Sequence, residues 1–139
     1  MAALTITAAN VLLTSGPTSV GVAGEAITAG MAVYRRDSDG KWLKAQCDGT
    51  AAEAGAGGYG IALNTADANG SPVTVARHGA IVAIGTGTAG IVYYIGNTAG
   101  GLEPVADLAT TDKVSPIAQG IGSSSVQVIE SYNAGSVLA

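Results

Sequence analysis

The middle of this 139-residue chain repeats itself at an offset of 60 residues, with no gap across the matching stretch. Thr28-Ala29-Gly30, Tyr34, Gly40, Thr50 and Gly60-Ile61 recur as Thr88-Ala89-Gly90, Tyr94, Gly100, Thr110 and Gly120-Ile121. The identities fall on glycines, turn residues and strand residues, the positions that fix a backbone path and carry no reaction chemistry. Gly30, Gly40, Gly60, Gly90, Gly100 and Gly120 are therefore expected where φ is positive or another backbone comes close. The repeat divides the chain into a first unit, 25–84, and a second, 85–130. Residues 1–24 are left as an N-terminal arm or edge strand, and residues 131–139 as a C-terminal tail. Neither unit, at about 60 residues with few large side chains, is expected to stand alone. One domain follows, with the units packed about a pseudo-two-fold axis or as successive halves of one barrel.

Helical periodicity is nearly absent. Short β-branched runs bounded by Gly, Asp, Asn and Ser recur instead, the pattern of an all-β barrel or jelly-roll-like sandwich with extended terminal arms. Leu4 to Thr7 alternates as a half-buried strand, and residues 14–19, TSGPTS, read as a loop. Met31 to Arg36 and Lys41 to Ala45 form a hairpin about the Asp39-Gly40 turn signal. Further strands are expected at Tyr59 to Leu63, Pro72 to Arg77 and Ala80 to Ile84. In the second unit they fall at Ile91 to Ile95, Leu102 to Val105, Ala118 to Gly122 and Val126 to Ile129. Single helical turns fit around Thr50 to Ala54 and Leu108 to Lys113.

Composition narrows the function. Charged residues make up only 12% of the chain, about half of what soluble domains carry, so part of the exterior is expected to lie against other protein. A net charge of −4, with basic residues scattered apart from Arg35-Arg36, speaks against nucleic acid, which needs clustered Lys and Arg. Cys47 is the single cysteine, which excludes an intrachain disulfide or a thiolate zinc cage. The first residues lack a basic and apolar leader, and no run approaches the roughly 20 apolar residues of a membrane span. A soluble protein of a cytoplasm is expected, with no membrane partner.

Catalytic sets are missing. His78, the single histidine, reads as a turn residue, because acid–base triads need partners that this sequence does not supply. Gly55 to Gly60 matches G-x-G-x-x-G, yet strand follows it where a dinucleotide site opens a helix. Asp37, Asp39 and Gly40 look like part of a calcium loop but lack its closing glutamate, so a hairpin turn explains them better. No enzyme, cofactor or metal is expected. Trp42 admits two readings, core packing or an interface anchor.

The stretches AGEAITAGMAVYRRDSDGKWLKA and GYGIALNTA, then GSPVTVARHG, and a degenerate second copy ending AQGIGSSSVQVIE, resemble the capsid cement, or decoration, proteins of tailed bacteriophages. The resemblance runs from about Ala3 to about Ile129 and rests on pattern and order. It implies a structural virion protein on the capsid exterior, assembled in the host bacterial cytoplasm, with the major capsid protein and its own copies (homodimer or homotrimer) as partners. The contact residues expected for it are Leu4, Ile6, Val11, Leu12, Leu13, Trp42, Val137 and Leu138, most of them on uncharged arms. The alternative is a carbohydrate-binding or fibre-type β-module of a phage particle, for which Trp42 with Asp37 and Asp39 is the candidate cluster.

Overall fold

The computed structural model describes residues 4–50, 53–55, 58–109, 112–130 and 136–137. It is all-β, two antiparallel sheets forming a sandwich that is not closed into a barrel. The strands are β1 (Leu12–Ser15), β2 (Thr18–Val22), β3 (Ala32–Arg35), β4 (Trp42–Lys44), β5 (Tyr59–Ala62), β6 (Pro72–Ala76), β7 (Ile81–Ala83), β8 (Val92–Ile95), β9 (Leu102–Pro104), β10 (Lys113–Val114), β11 (Pro116–Gly120), β12 (Ser125–Val128) and β13 (Ser136–Val137). One sheet has the order β2-β6-β5-β3-β4 and the other β1-β7-β12-β11-β8-β9, while β10 and β13 pair separately.

The duplication is visible in these orders. β6-β5-β3-β4 and β12-β11-β8-β9 have the same succession, and β2 borders β6 as β7 borders β12. The hairpin β3–β4 and the hairpin β8–β9 occupy positions 60 residues apart with identical register. The gapless match ends there. Ala32 pairs with Ile61, but Val92 pairs with Gln119 and not with Ile121, so the second unit's connection into its third strand is two residues shorter.

The units do not pack about a two-fold axis. In the first unit Ala32, Tyr34, Ile61 and Ala76 face the core between the sheets, while Val33 and Trp42 point the other way into a smaller cluster with Ala23, Ile27, Val73 and Val75. In the second unit Tyr93 and Leu102, the counterparts of Val33 and Trp42, fill the core between the sheets. The counterparts of Ala32 and Tyr34, namely Val92 and Tyr94, are only half-buried. Because side chains alternate across a strand, equivalent faces point in the same direction and the units stack front to back. A two-fold would have brought equivalent residues together, and closure of one barrel would have joined the sheets, so both expected arrangements are corrected.

Several local expectations change. Residues 14–19 are not one loop: β1 runs to Ser15, Gly16 and Pro17 turn the chain, and β2 begins at Thr18 in the other sheet. The N-terminal segment thus supplies an outer strand to each sheet. Leu4 to Thr7 keeps its alternation, with Leu4 and Ile6 half-buried and Thr5 and Thr7 exposed, but joins no ladder and leads into a 3-10 helix, Ala8–Asn10. The turn at Thr50 is held by a capping box: Glu53 N–H donates to Thr50 Oγ1 at 3.2 Å, and Thr50 N–H donates to Glu53 Oε1 at 3.4 Å. In the second unit a 3-10 helix runs over Val105–Asp107, ahead of the turn expected around Leu108 to Lys113, of which Thr110 and Thr111 lie outside the described residues.

The six repeat glycines are constrained in two ways. Gly30, Gly40, Gly90 and Gly100 have positive φ. Gly60 and Gly120 do not, but a β-carbon on Gly60 would strike the Ala76 carbonyl and Val75 Cγ1, and one on Gly120 the Thr88 carbonyl.

Candidate interaction surfaces

Charge-free sequence builds the most exposed apolar surface. No charged residue occurs before Glu25, and within that stretch Leu12 is 67% exposed, Val20 78% and Val22 41%. Val20 and Val22 lie on β2, an outer strand that begins at Thr18, inside the stretch expected as a loop. Their neighbours explain the exposure. β2 pairs with β6 alone along its length, and only beyond it does a parallel bridge from Ala23 to Trp42 draw the sheet's two outer strands together. There Gly24 N–H donates to the Trp42 carbonyl at 2.8 Å.

The expected contact residues separate into three groups. Leu12 is on the surface. Leu4, Ile6, Val11 and Leu13 are half-buried against the main core, which corrects their reading as arm residues that contact a partner: Leu4 N–H donates to the Leu102 carbonyl of β9 at 3.0 Å, and Leu13 pairs with Val82 of β7. Trp42 is 2% exposed, so it is a core residue and not an interface anchor. Gly21 makes room for it, since a β-carbon there would stand 2.8 Å from the indole Nε1. Val137 sits in β13, whose ladder partner is β10 of the same chain, Lys113 opposite Val137. Leu138 lies outside the described residues.

Burial of Trp42 also dissolves the sugar-binding cluster. Asp39 is committed to the hairpin: Oδ1 accepts Arg36 Nε and Lys41 N–H, each at 3.1 Å, and Oδ2 accepts Arg36 Nη2 at 2.6 Å. The Arg36 guanidinium holds the Asp39 carboxyl down at about 2. Trp42 offers no open ring face on which a sugar could stack.

A groove of about 190 Å³ lies where the N-terminal segment crosses the two units. Leu4 and Ile6 form one wall, Met31 and Leu102 add apolar surface, and the loops Thr28-Ala29-Gly30 and Thr98-Ala99-Gly100 form the rim. It has room for one large apolar side chain and brings no set of ionisable groups together.

Polar chemistry is concentrated at the seam between the units. Asn97 is its hub: its N–H donates to Glu103 Oε1 at 3.1 Å, its carbonyl accepts Gln46 Nε2 at 2.7 Å, and its Oδ1 accepts the Cys47 thiol at 3.5 Å. Glu103, Asp112 and Ser115 are buried nearby in the second unit. Burial, then the Asp112 and Glu103 carboxylates, push the Cys47 thiol up to about 12, the reverse of an activated nucleophile. Backbone bonds tie the same seam, from Cys47 N–H to the Gly96 carbonyl at 3.0 Å and from Lys113 N–H to the Cys47 carbonyl at 2.8 Å.

Among the described residues no group of three or more His, Cys, Asp or Glu side chains is placed to hold a metal ion, and no helix is long and apolar enough to cross a membrane. His78 is exposed in the turn between β6 and β7. Compared with known proteins, the chain matches no family model and no curated protein.

Proposed function

We propose that this chain is a structural virion protein, a capsid cement protein that binds the outer surface of a tailed-phage icosahedral shell as a homodimer or homotrimer. It would stiffen the shell through many non-covalent contacts with the major capsid protein. The observation that carries the reading is the uncharged N-terminal segment, which supplies an outer strand to each sheet and there exposes Leu12, Val20 and Val22. Soluble proteins usually blunt such strands with charge, and a partner surface provides the missing cover. The groove beside Leu4 and Ile6 offers a second foothold for an apolar side chain.

Weak contacts suffice for such a role. Copies arrayed on a lattice bind by avidity, so small patches repeated many times hold the protein in place. A surface poor in charge suits lasting contact with other protein, and the net charge of −4 disfavours the packaged nucleic acid as a partner. Enzymatic activity forms no part of this reading.

The test is co-sedimentation of the purified protein with expanded shells of the major capsid protein from the same genome. Saturable binding at a fixed number of copies per shell, together with a higher disruption temperature, is the expected result. Shells that sediment bare at micromolar protein would end the proposal.

A further inference from the structure

Two arginines share the face of the first sheet on which Trp42 lies, and among the described residues neither forms an ion pair. Arg77, just after β6, holds its guanidinium carbon 5.3 Å from the centre of the Trp42 ring and donates from Nη1 to Ser19 Oγ at 3.2 Å. Arg35, the last residue of β3, is opposite Trp42 in the ladder and therefore on the same face. Gly58 lies between them, with φ of 140°. A β-carbon at Gly58 would stand 3.7 Å from Arg35 Cβ and 3.9 Å from Arg77 Nη2, so the two arginines flank this glycine.

The neighbouring charges are engaged elsewhere. The ion pairs among the described residues join Arg36 to Asp39 and Lys44 to Glu25, and neither includes Arg35 or Arg77. Arg77 Nε is buried without an acceptor. Ten carboxylates are distributed over this chain, yet among the described residues none forms an ion pair with either arginine, and an anion from outside would fill that role.

We propose that Arg35 and Arg77 receive a carboxylate presented by a partner protein. The planar fork of a guanidinium matches a carboxylate with two parallel hydrogen bonds. Arg77 is already oriented by the Trp42 ring and Ser19, so little side-chain freedom is lost when the partner docks. A nucleic-acid backbone fits poorly, because two guanidiniums neutralise few phosphates and the chain as a whole is acidic. A single acidic side chain suits both the size and the charge of the site. The proposal stands apart from the capsid reading and holds for any acidic protein partner.

Trp42 is the only tryptophan and lies beneath Arg77, so its emission reports on the site. The intact protein would be titrated at constant ionic strength with a capped Gly-Glu-Gly peptide, a capped Gly-Gln-Gly peptide, inorganic phosphate and a short DNA duplex. A saturable change is expected with the Glu peptide and none with the Gln peptide. Arg35→Gln should weaken it at least fivefold while leaving the circular dichroism spectrum unchanged, and Arg77→Lys, which keeps the charge but loses the fork, should weaken it similarly. Identical responses to the Glu and Gln peptides, or an Arg35→Gln protein that titrates like the parent, would overturn the proposal. Tighter binding of phosphate or DNA than of the Glu peptide would overturn the assignment to a protein carboxylate.

Discussion

The Cys47 thiol of the first unit donates to Asn97 Oδ1 of the second across 3.5 Å, inside a seam that also buries Glu103 and Asp112. Because the thiol is held up to about 12, the native protein should resist thiol reagents at pH 8 and react only after urea unfolds it. The neutral thiol contributes stability that is fully present below about pH 9 and is lost as pH rises toward 12. Urea midpoints measured at pH 8, 10 and 11 check the sign, and Cys47→Ser should flatten the alkaline part of that curve.

Asn97→Ala removes the acceptor of the thiol and the Nδ2 donor that reaches the Asp107 carbonyl at 3.4 Å. The expected cost is about 1–2 kcal/mol, read from chemical denaturation.

Acid acts at a different place. Asp39 is held at about 2 by Arg36, so the turn it braces should be intact above about pH 4 and loosen as pH falls toward 2. NMR titration of the Asp39 side chain checks this, and Arg36→Gln should return its midpoint toward the ordinary carboxylate range.

Gly60→Ala and Gly40→Ala separate two kinds of constraint. At Gly40 nothing lies within 4 Å of an added β-carbon, and the cost is that of a positive φ, about 1 kcal/mol. At Gly60 the added carbon meets backbone of the adjacent strand, so a loss of about 2–3 kcal/mol is expected. Equal melting temperatures for the two variants would contradict the difference.

Leu12→Thr and Val20→Thr alter surface positions and should change stability by no more than about 0.5 kcal/mol while lowering shell attachment. Deleting residues 1–13 differs in kind, because Leu4, Ile6, Val11 and Leu13 cover the main core. About 4 kcal/mol of stability should be lost with them, and thermal melts of the truncated protein check it.

The β3–β4 hairpin and its copy were legible because Asp-Gly and Gly-Gly turns lie between short apolar runs, and the all-β class followed from the same spacing. The outer strands were not. Gly16, Pro17 and Ser19 dominate the local signal and read as loop, whereas β2 is fixed by its pairing with the distant β6. The side on which Trp42 falls was equally hidden, since burial depends on Gly21 leaving room for the indole. That Arg35 and Arg77 flank Gly58 was hidden for a similar reason: the residues are far apart in sequence and are brought to one glycine by the register of three strands. A repeated residue identity misled in one place, where Gly120-Ile121 looks like Gly60-Ile61 but sits two positions out of register.

Front-to-back stacking has no natural end, unlike a two-fold pair, which closes on itself. Ile61 and Ala76 of the first unit are sealed beneath the second. The residues that pair in the same way in the second unit are Gln119 and Gln127, and their face turns outward. An amide surface on the last member of a tandem array acts as its cap. Gln119 and Gln127 therefore give the second unit a polar outer face where the first unit has an apolar one, and placing Ile and Ala there would create a second apolar face of the kind that the first unit buries.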